Sequence, residues 1–329
     1  MSPSPSITRI AVPTPFPVGD VNVFLYRGRE ALTLFDAAVR TEDAYAALVA
    51  GLAEHGVAVW DLERIILTHH HFDHIGLLRR LMEESGAETC GHPDILAQLQ
   101  LSYGYDDRHR VYHESLLAEL GVPADHTDPF ILSRDSLRKF IDVYTLDRLL
   151  PDGVVVDGFT VHHVPGHSPT DTLFVHSSGA AVTGDHILEN VNPNPILRRP
   201  LPGHRRAKSL VEFQQSLRHT RSLGLTLCYP GHGAPFTDHH RVIDGILAQH
   251  ERRNRRILST ITPQGFSAYD LARALYPAMT HQDLFFCLSV AVGQLELLES
   301  RGLLRQEHDA DGVSRFYPAH AGGESPVDA

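Results

Sequence analysis

Residues Thr68 to Gly76 read T-H-H-H-F-D-H-I-G, and within them His69, His71, Asp73 and His74 form a His-x-His-x-Asp-His cluster. Imidazoles and a carboxylate packed so closely along the chain suit a pair of divalent cations in a hydrolytic centre. In an extended or turning segment, alternate side chains point the same way, so His69 and His71 can share one metal while His70 points elsewhere. Asp73 and His74 fall past the bend and can face a second metal. Two metals need more ligands than these, and His167, Asp185 and His232 follow later in the chain.

Each ligand group comes at the end of a run with strand character. Glu63 to Thr68 (E-R-I-I-L-T) is short and apolar and leads into the histidine cluster, after which an apolar helix begins near Ile75. Phe159 to Val164 ends in Pro165, Gly166 and His167. Gly179 to Thr183 ends in Gly184, Asp185 and His186, and Leu225 to Tyr229 ends in P-G-H-G around His232. A glycine beside each later ligand lets the backbone approach closely.

With these separated segments in the family's order, the chain resembles the metallo-β-lactamase superfamily from about Ile7 to Phe236. The resemblance implies an α/β fold, an αββα sandwich with its metals at one edge of two sheets. It implies that His69, His71 and His167 hold the first metal, that Asp73, His74 and His232 hold the second, and that Asp185 bridges them. The cofactors expected are two divalent ions, zinc first and iron or manganese as alternatives, since imidazole and carboxylate donors suit all three. Such ions, about 3.5 to 4 Å apart, turn a bridging water into hydroxide near neutral pH and polarise the substrate oxygen. Asp73 is the catalytic candidate, a ligand that also orients the nucleophile and can carry a proton to the leaving group. No serine or cysteine nucleophile is required, and G-x-S-x-G is absent.

The organisation expected is a sandwich domain over residues 1–236, interrupted by a helical cap at about 93–149, and a mainly helical, winged-helix-like module over 237–329. The first half carries strand-like runs I-T-R-I-A-V, V-N-V-F-L-Y and L-T-L-F-D-A and a helical pattern from Glu42 to Glu54; the second carries a helix near Ala207 to Leu223. The insertion has six aromatics, Tyr103, Tyr105, Tyr112, Phe130, Phe140 and Tyr144, and little strand signal. Tyr103, Tyr105, Tyr112 and His113 are candidate substrate contacts, although packing of the cap onto the body is the reading aromatics favour. Asn192 to Leu201 (N-P-N-P-I-L-R-R-P-L) is a stiff second candidate wall, where Arg198 and Arg199 could meet an anionic group. In the tail, helices over Asp238 to Thr260, Ser267 to Tyr276 and His281 to Arg301 precede a hairpin of Leu303 to Gln306 and Val313 to Tyr317.

With 23 histidines in the chain, His70, His92, His162, His163, His176 and His186 read as surface or hydrogen-bonded core residues rather than ligands. A length of 329 residues and 42% hydrophobic content suffice for a sizeable core. No apolar run nears the roughly 20 residues that span a bilayer, and the start M-S-P-S-P-S carries no export pattern. The three separated cysteines, Cys90, Cys228 and Cys287, form no disulfide framework, so a cytoplasmic protein without membrane partners is expected.

A net charge of -11 disfavours nucleic acid as a partner, and the last long helix carries Glu296 and Glu299 with only Arg301 at its end. The tail then reads as a packing or homodimerisation element. The substrate expected is a small ester or thioester, because T-H-H-H-F-D-H and P-G-H resemble glyoxalase II-like and thioesterase-like members. P-G-H-S-P-T-D departs from the glyoxalase II form P-G-H-T-x-G-H, which weakens the case for a glutathione thioester. The alternative is a phosphodiesterase or endoribonuclease acting on RNA. A third class, a metal-holding protein without turnover, predicts a blocked pocket in place of an accessible one.

Overall fold

The computed structural model describes residues 6–103, 107–127, 137–142 and 144–319 of the chain. Tyr105, Phe130 and the side chain of Tyr103 lie outside the described residues. The first sheet contains β1 (Ile7–Val12), β2 (Val21–Arg27), β3 (Leu32–Phe35), β4 (Arg64–Ile66), β5 (Glu88–Gly91) and β6 (Arg148–Leu149), in that spatial order. It is antiparallel from β1 to β3 and parallel from β3 to β6. The second sheet contains β7 (Val155–Val156), β8 (Phe159–His163), β9 (Thr172–His176), β10 (Ala180–Gly184) and β11 (Leu227–Pro230). Its pairs are antiparallel until β11 joins β10 in parallel, so β8, β10 and β11 all run in one direction.

Burial on both faces explains the strand compositions. β2 is buried along V-N-V-F-L-Y because its alternate side chains enter different cores. Phe24 and Tyr26 meet Phe35, Phe159, Phe174 and Val182 between the sheets, whereas Val21, Val23 and Leu25 face the helices of the first half. Phe159 is the hub of the inter-sheet layer, with ring centroids 5.0 Å from Tyr26 and 5.2 Å from Phe35, both edge to face.

The helices cover the two outer faces. α1 (Glu42–Glu54) follows β3, begins where the Thr41 hydroxyl accepts a hydrogen bond from Ala44 N at 3.1 Å, and buries Ala44, Leu48 and Leu52 on the first sheet. The helix expected near Ile75 is two pieces, α2 (Phe72–Ile75) and α3 (Leu78–Ser85). Then come α4 (Ile95–Tyr103), α5 (Asp107–Glu119) and, between β10 and β11, α6 (Ser209–Ser222). α6 packs Leu210, Phe213 and Leu217 on the second sheet together with Val242, Ile243 and Ile246 of α7 (His239–Thr260). The tail continues through β12 (Phe266–Ser267), α8 (Ala268–Leu275), α9 (Leu284–Ser300) and the hairpin β13 (Leu304–His308) and β14 (Ser314–Pro318). β12 adds to β14, making a three-stranded sheet where only the hairpin was expected.

The insertion is divided between two supports. Ile95 and Leu99 of α4 belong to the first-sheet core, whereas Leu116, Leu117, Leu120 and Val122 share a core with Leu271 and Ala268 of α8, Leu288 and Leu295 of α9, and Phe316 of β14. Tyr269 N bonds Leu120 O at 3.0 Å across this joint. Tyr112 packs against the same core, and the centroid of Phe140 lies 5.2 Å from that of Phe16 in the body. These aromatics therefore pack the insertion onto its neighbours. Cys90, Cys228 and Cys287 are free and buried. Among the described residues no helix is long and apolar enough to cross a membrane.

Emptying the inter-sheet layer has a predictable cost. Phe159→Ala should lower stability by about 3–5 kcal/mol, measured by equilibrium urea denaturation. A loss below about 1 kcal/mol would show that the aromatic layer does not hold the sheets together.

Candidate metal centre

The ligand candidates gather at one edge of the sandwich because β4, β8, β10 and β11 each end there. β4 stops at Ile66, and beyond it the backbone is held by new partners. Leu67 N bonds Cys90 O at 2.9 Å, and Thr68 N turns to Asp36 Oδ1 at 2.8 Å. His69 and His71 follow in extended chain, and Asp73 and His74 occupy the single turn of α2. His167 comes from the turn between β8 and β9, Asp185 from the end of β10 and His232 from the end of β11.

All seven side chains come together. His69 Nε2 and His167 Nε2 lie 3.0 and 2.9 Å from His71 Nδ1. On the other side, His232 Nε2 is 3.4 Å from Asp73 Oδ2. The Asp185 carboxylate lies between them, with Oδ2 3.6 Å from both His167 Nε2 and His232 Nε2 and Oδ1 3.5 Å from His74 Nε2. Three groups could each hold an ion: His69, His71 and His167; His69, His74 and Asp185; and Asp73, His74 and His232, with donor atoms in each group within 4.8 Å of one another.

Hydrogen bonding fixes which nitrogens face inward. Asp36 is buried and accepts from the Thr68 hydroxyl and from His74 Nδ1, both at 2.8 Å. Thr68 spends its proton on Asp36, so its oxygen can only accept from His69 Nδ1 at 3.0 Å. Asp20 O accepts from His232 Nδ1 at 2.8 Å. His69, His74 and His232 thus carry their protons outward and turn Nε2 lone pairs into the centre. His74 Nε2 and Asp185 Oδ1 are buried there without a hydrogen-bond partner. Clustered lone pairs and a buried carboxylate repel one another unless a cation lies among them, so this donor set fits a divalent metal pair.

The electrostatics agree. Burial pushes His69 and His71 well below the usual imidazole range and His167 down to about 4, which keeps these rings neutral as ligands must be. Burial also pulls on His74, but Asp185, Asp36 and Asp73 together carry it well above that range, and His232 is raised by Asp185 and Asp73. The carboxylates call for positive charge at this end, which a metal or a proton can supply.

The glycine at the end of β11 permits the close approach. A Cβ on Gly231 would lie 2.2 Å from Asp185 Oδ1 and 2.6 Å from His74 Cε1. The carbonyls on either side of it are held by Asn22, which donates from Nδ2 to Pro230 O and Gly233 O, each at 2.8 Å.

Two features of the site have no counterpart in the motif. Asp36, at the end of β3 with a backbone φ of 63°, orients His74 directly and His69 through Thr68. His70 points away from the centre, as its alternation predicts, but its role is specific. It lies 2.8 Å from Thr170 Oγ1 through Nδ1 and takes a 2.6 Å hydrogen bond from Arg198 at Nε2. Arg198 also contacts His71 Nε2. Arg198 therefore sits beside the centre, as the loop reading allowed. Tyr112 directs its hydroxyl to Arg198 O at 3.4 Å while packing on the core of the tail, and His113 is buried.

Similarity to known proteins agrees with this geometry. The profile described as "Metallo-beta-lactamase superfamily" matches residues 16–232. A probable metallo-hydrolase of Bacillus subtilis, YqjP, is 35% identical over 298 residues, 89% of this chain and 92% of its own. An atrochrysone carboxyl ACP thioesterase of Aspergillus fumigatus is 34% identical over 112 residues, 32% of each chain. The crystal structure of a metallo-beta-lactamase family protein from Thermus thermophilus matches with a TM-score of 0.78 at 26% identity, covering 95% of this chain and 98% of that one.

Asp36→Asn keeps the side-chain shape but places an amide donor among groups that need an acceptor. Metal affinity in a chelator competition should fall by about 10–100-fold, with the circular dichroism spectrum unchanged. Wild-type affinity in the variant would show that Asp36 does not set the tautomers.

Proposed function

The chain belongs to the metallo-β-lactamase superfamily, and from that membership we propose that it is a metal-dependent hydrolase of a small carboxylic ester or thioester. The observation that carries this reading is the inward convergence of His69, His71, His167, Asp73, His74, His232 and Asp185. In this reading the first three hold one ion, Asp73, His74 and His232 hold the other, and Asp185 serves both. Zinc is the first expectation, with iron or manganese compatible with the same donors. When bound, the ions supply a water nucleophile at neutral pH and Lewis acidity toward the substrate oxygen.

The residues of the chain supply orientation and proton transfer. Asp73 Oδ2 faces His232, and Oδ1 can take a proton and return it to the leaving group. Arg198, steadied by His70, offers a positive charge beside the first trio. A cavity adjoins Arg198 and the His167 turn, which offers room for a substrate next to the centre. The partial similarity to an acyl-carrier thioesterase supports an acyl substrate. The charge of -11 weighs against RNA. So does the burial of α9, whose residues from Leu284 to Leu298 are largely enclosed and cannot enter a groove.

A panel of thioesters, esters, lactones, a simple phosphodiester and single-stranded RNA, with metal-loaded protein, tests the reading. Turnover should appear on the acyl substrates, and His69→Ala should lower it by on the order of a thousandfold. Turnover confined to RNA or the phosphodiester would replace this reading with the nuclease one, and full activity in His69→Ala would remove the metal mechanism. Elemental analysis of the same preparation identifies the ion.

A further inference from the structure

Beside the metal centre lies a cavity of about 690 Å³ whose lining opposes the charge of the whole chain. Arg198, Arg199, Arg205, Arg206 and Lys208 line it, against two carboxylates, Asp94 and Glu212. The protein as a whole carries -11. Part of this wall is fixed in place. Arg206 pairs with Glu296 of α9, and Lys208 Nζ lies 2.7 Å from Glu299 Oε2. Arg205 lines the cavity from an exposed position.

Arg198 joins the cavity to the centre. Its guanidinium is one wall of the cavity and also donates to His70 and contacts His71 within the ligand motif. Pro165 and Gly166, immediately before His167, form part of the same lining. A ligand held in this cavity would therefore lie against the His71 and His167 side of the centre, and an arm extending from its anionic group can carry a bond several atoms away to the ligands.

The volume lies within the range of about 300–1,000 Å³ that suits a cofactor-sized ligand. Guanidinium forks match phosphate oxygens bidentately and bind them more selectively than a diffuse charge would. A compact phosphate group can collect this local field, whereas a long polyanion must also cross the acidic remainder of the surface.

We propose that this cavity is a subsite for the phosphate-bearing part of the substrate's leaving group, a phosphorylated pantetheine-type thiol that carries the acyl group to the metal centre. The proposal rests on the ester or thioester reading for its chemistry and on the cavity for its ligand. Hydrolysis of such a substrate adds the water oxygen to the acyl carbon, breaks the carbon–sulfur bond and leaves one proton on the departing thiol. The thiol is either free coenzyme A or phosphopantetheine on a carrier protein, which share the phosphate next to the pantetheine arm.

Equilibrium binding to the full chain separates ligand recognition from turnover. Coenzyme A should bind at least about tenfold more tightly than pantetheine, as one or more charge-assisted contacts predict. Arg199→Glu with Arg205→Glu should erase that preference, whereas Arg305→Glu on the distant hairpin should leave it intact. Arg205→Glu alone serves if the double variant does not fold. In kinetics, the kcat/KM ratio of an acyl-coenzyme A to the matching acyl-pantetheine should fall toward one in the double variant. An acyl-phosphopantetheinyl carrier protein that outperforms acyl-coenzyme A identifies the carrier as the source, and the reverse identifies the free cofactor. Thioester hydrolysis with no phosphate preference overturns the subsite and leaves the ester or thioester reading standing. Arginine-dependent coenzyme A binding without hydrolysis of any acyl substrate keeps the subsite and overturns that reading.

Discussion

The Asp36 carboxylate accepts hydrogen bonds from Thr68 N, Thr68 Oγ1 and His74 Nδ1, each at 2.8 Å, and the order of the candidate metal centre follows from it. A buried carboxylate is costly unless its lone pairs are satisfied, and here the three donors do so while being fixed themselves. The bond to Thr68 N ends the pairing of β4 and leads the chain into the segment that carries His69 and His71. The bond to the Thr68 hydroxyl determines that His69 Nδ1 is a donor, and the bond to His74 does the same there. One acceptor thus sets the protonation pattern of two imidazoles and the path of the chain between them. Its own backbone sits at a φ of 63°, a conformation costing on the order of 1–3 kcal/mol that the three hydrogen bonds can sustain.

The same edge is where the two sheets are tied together by backbone. Thr172 N, at the start of β9, bonds Thr68 O at 2.9 Å and Asn22 N bonds Gly231 O at 2.7 Å, while Gly231 N bonds Gly184 O at 2.8 Å within the second sheet. Ligands from different sheets consequently sit on a rigidly connected rim, which is what positioning within a few tenths of an ångström demands. Gly231 belongs to this arrangement because any side chain there would occupy the space of the Asp185 carboxylate.

Much of this was legible in the sequence because ligand chemistry restricts residue type and spacing. His69, His71, His167, Asp185 and His232 follow strand ends, Asp73 and His74 enter α2 just after one, and the α1 boundaries coincide with the helical pattern from Glu42 to Glu54. Asp36 was not legible as a site residue: a lone aspartate after L-T-L-F has no spacing signature, and its importance arises only when β3 and β4 pair in parallel. β5, β6 and β9 also lack a clear signal, because E-T-C-G and R-L are too short for a period and T-L-F-V-H follows a ligand loop rather than preceding one. His70 illustrates a different limit. Alternation correctly turns it away from the centre, but its partner Arg198 is 128 residues distant and no local pattern links them.

The insertion and the tail gain a common physical role from how the Arg198 loop is held. Leu197 is buried in the core shared by α5, α8 and α9, and its amide donates to Ser289 Oγ at 3.1 Å. Tyr112 of α5 reaches Arg198 O, and α9 holds Arg206 and Lys208 through Glu296 and Glu299. The acidic residues that make α9 a poor reader of nucleic acid are therefore the ones that fix a basic wall within the protein. An arginine-rich segment in an acidic chain would otherwise repel itself and sample many conformations. Carboxylates from behind reduce that repulsion without covering Arg198, so the parts of the chain farthest in sequence from the histidine motif shape what can approach it.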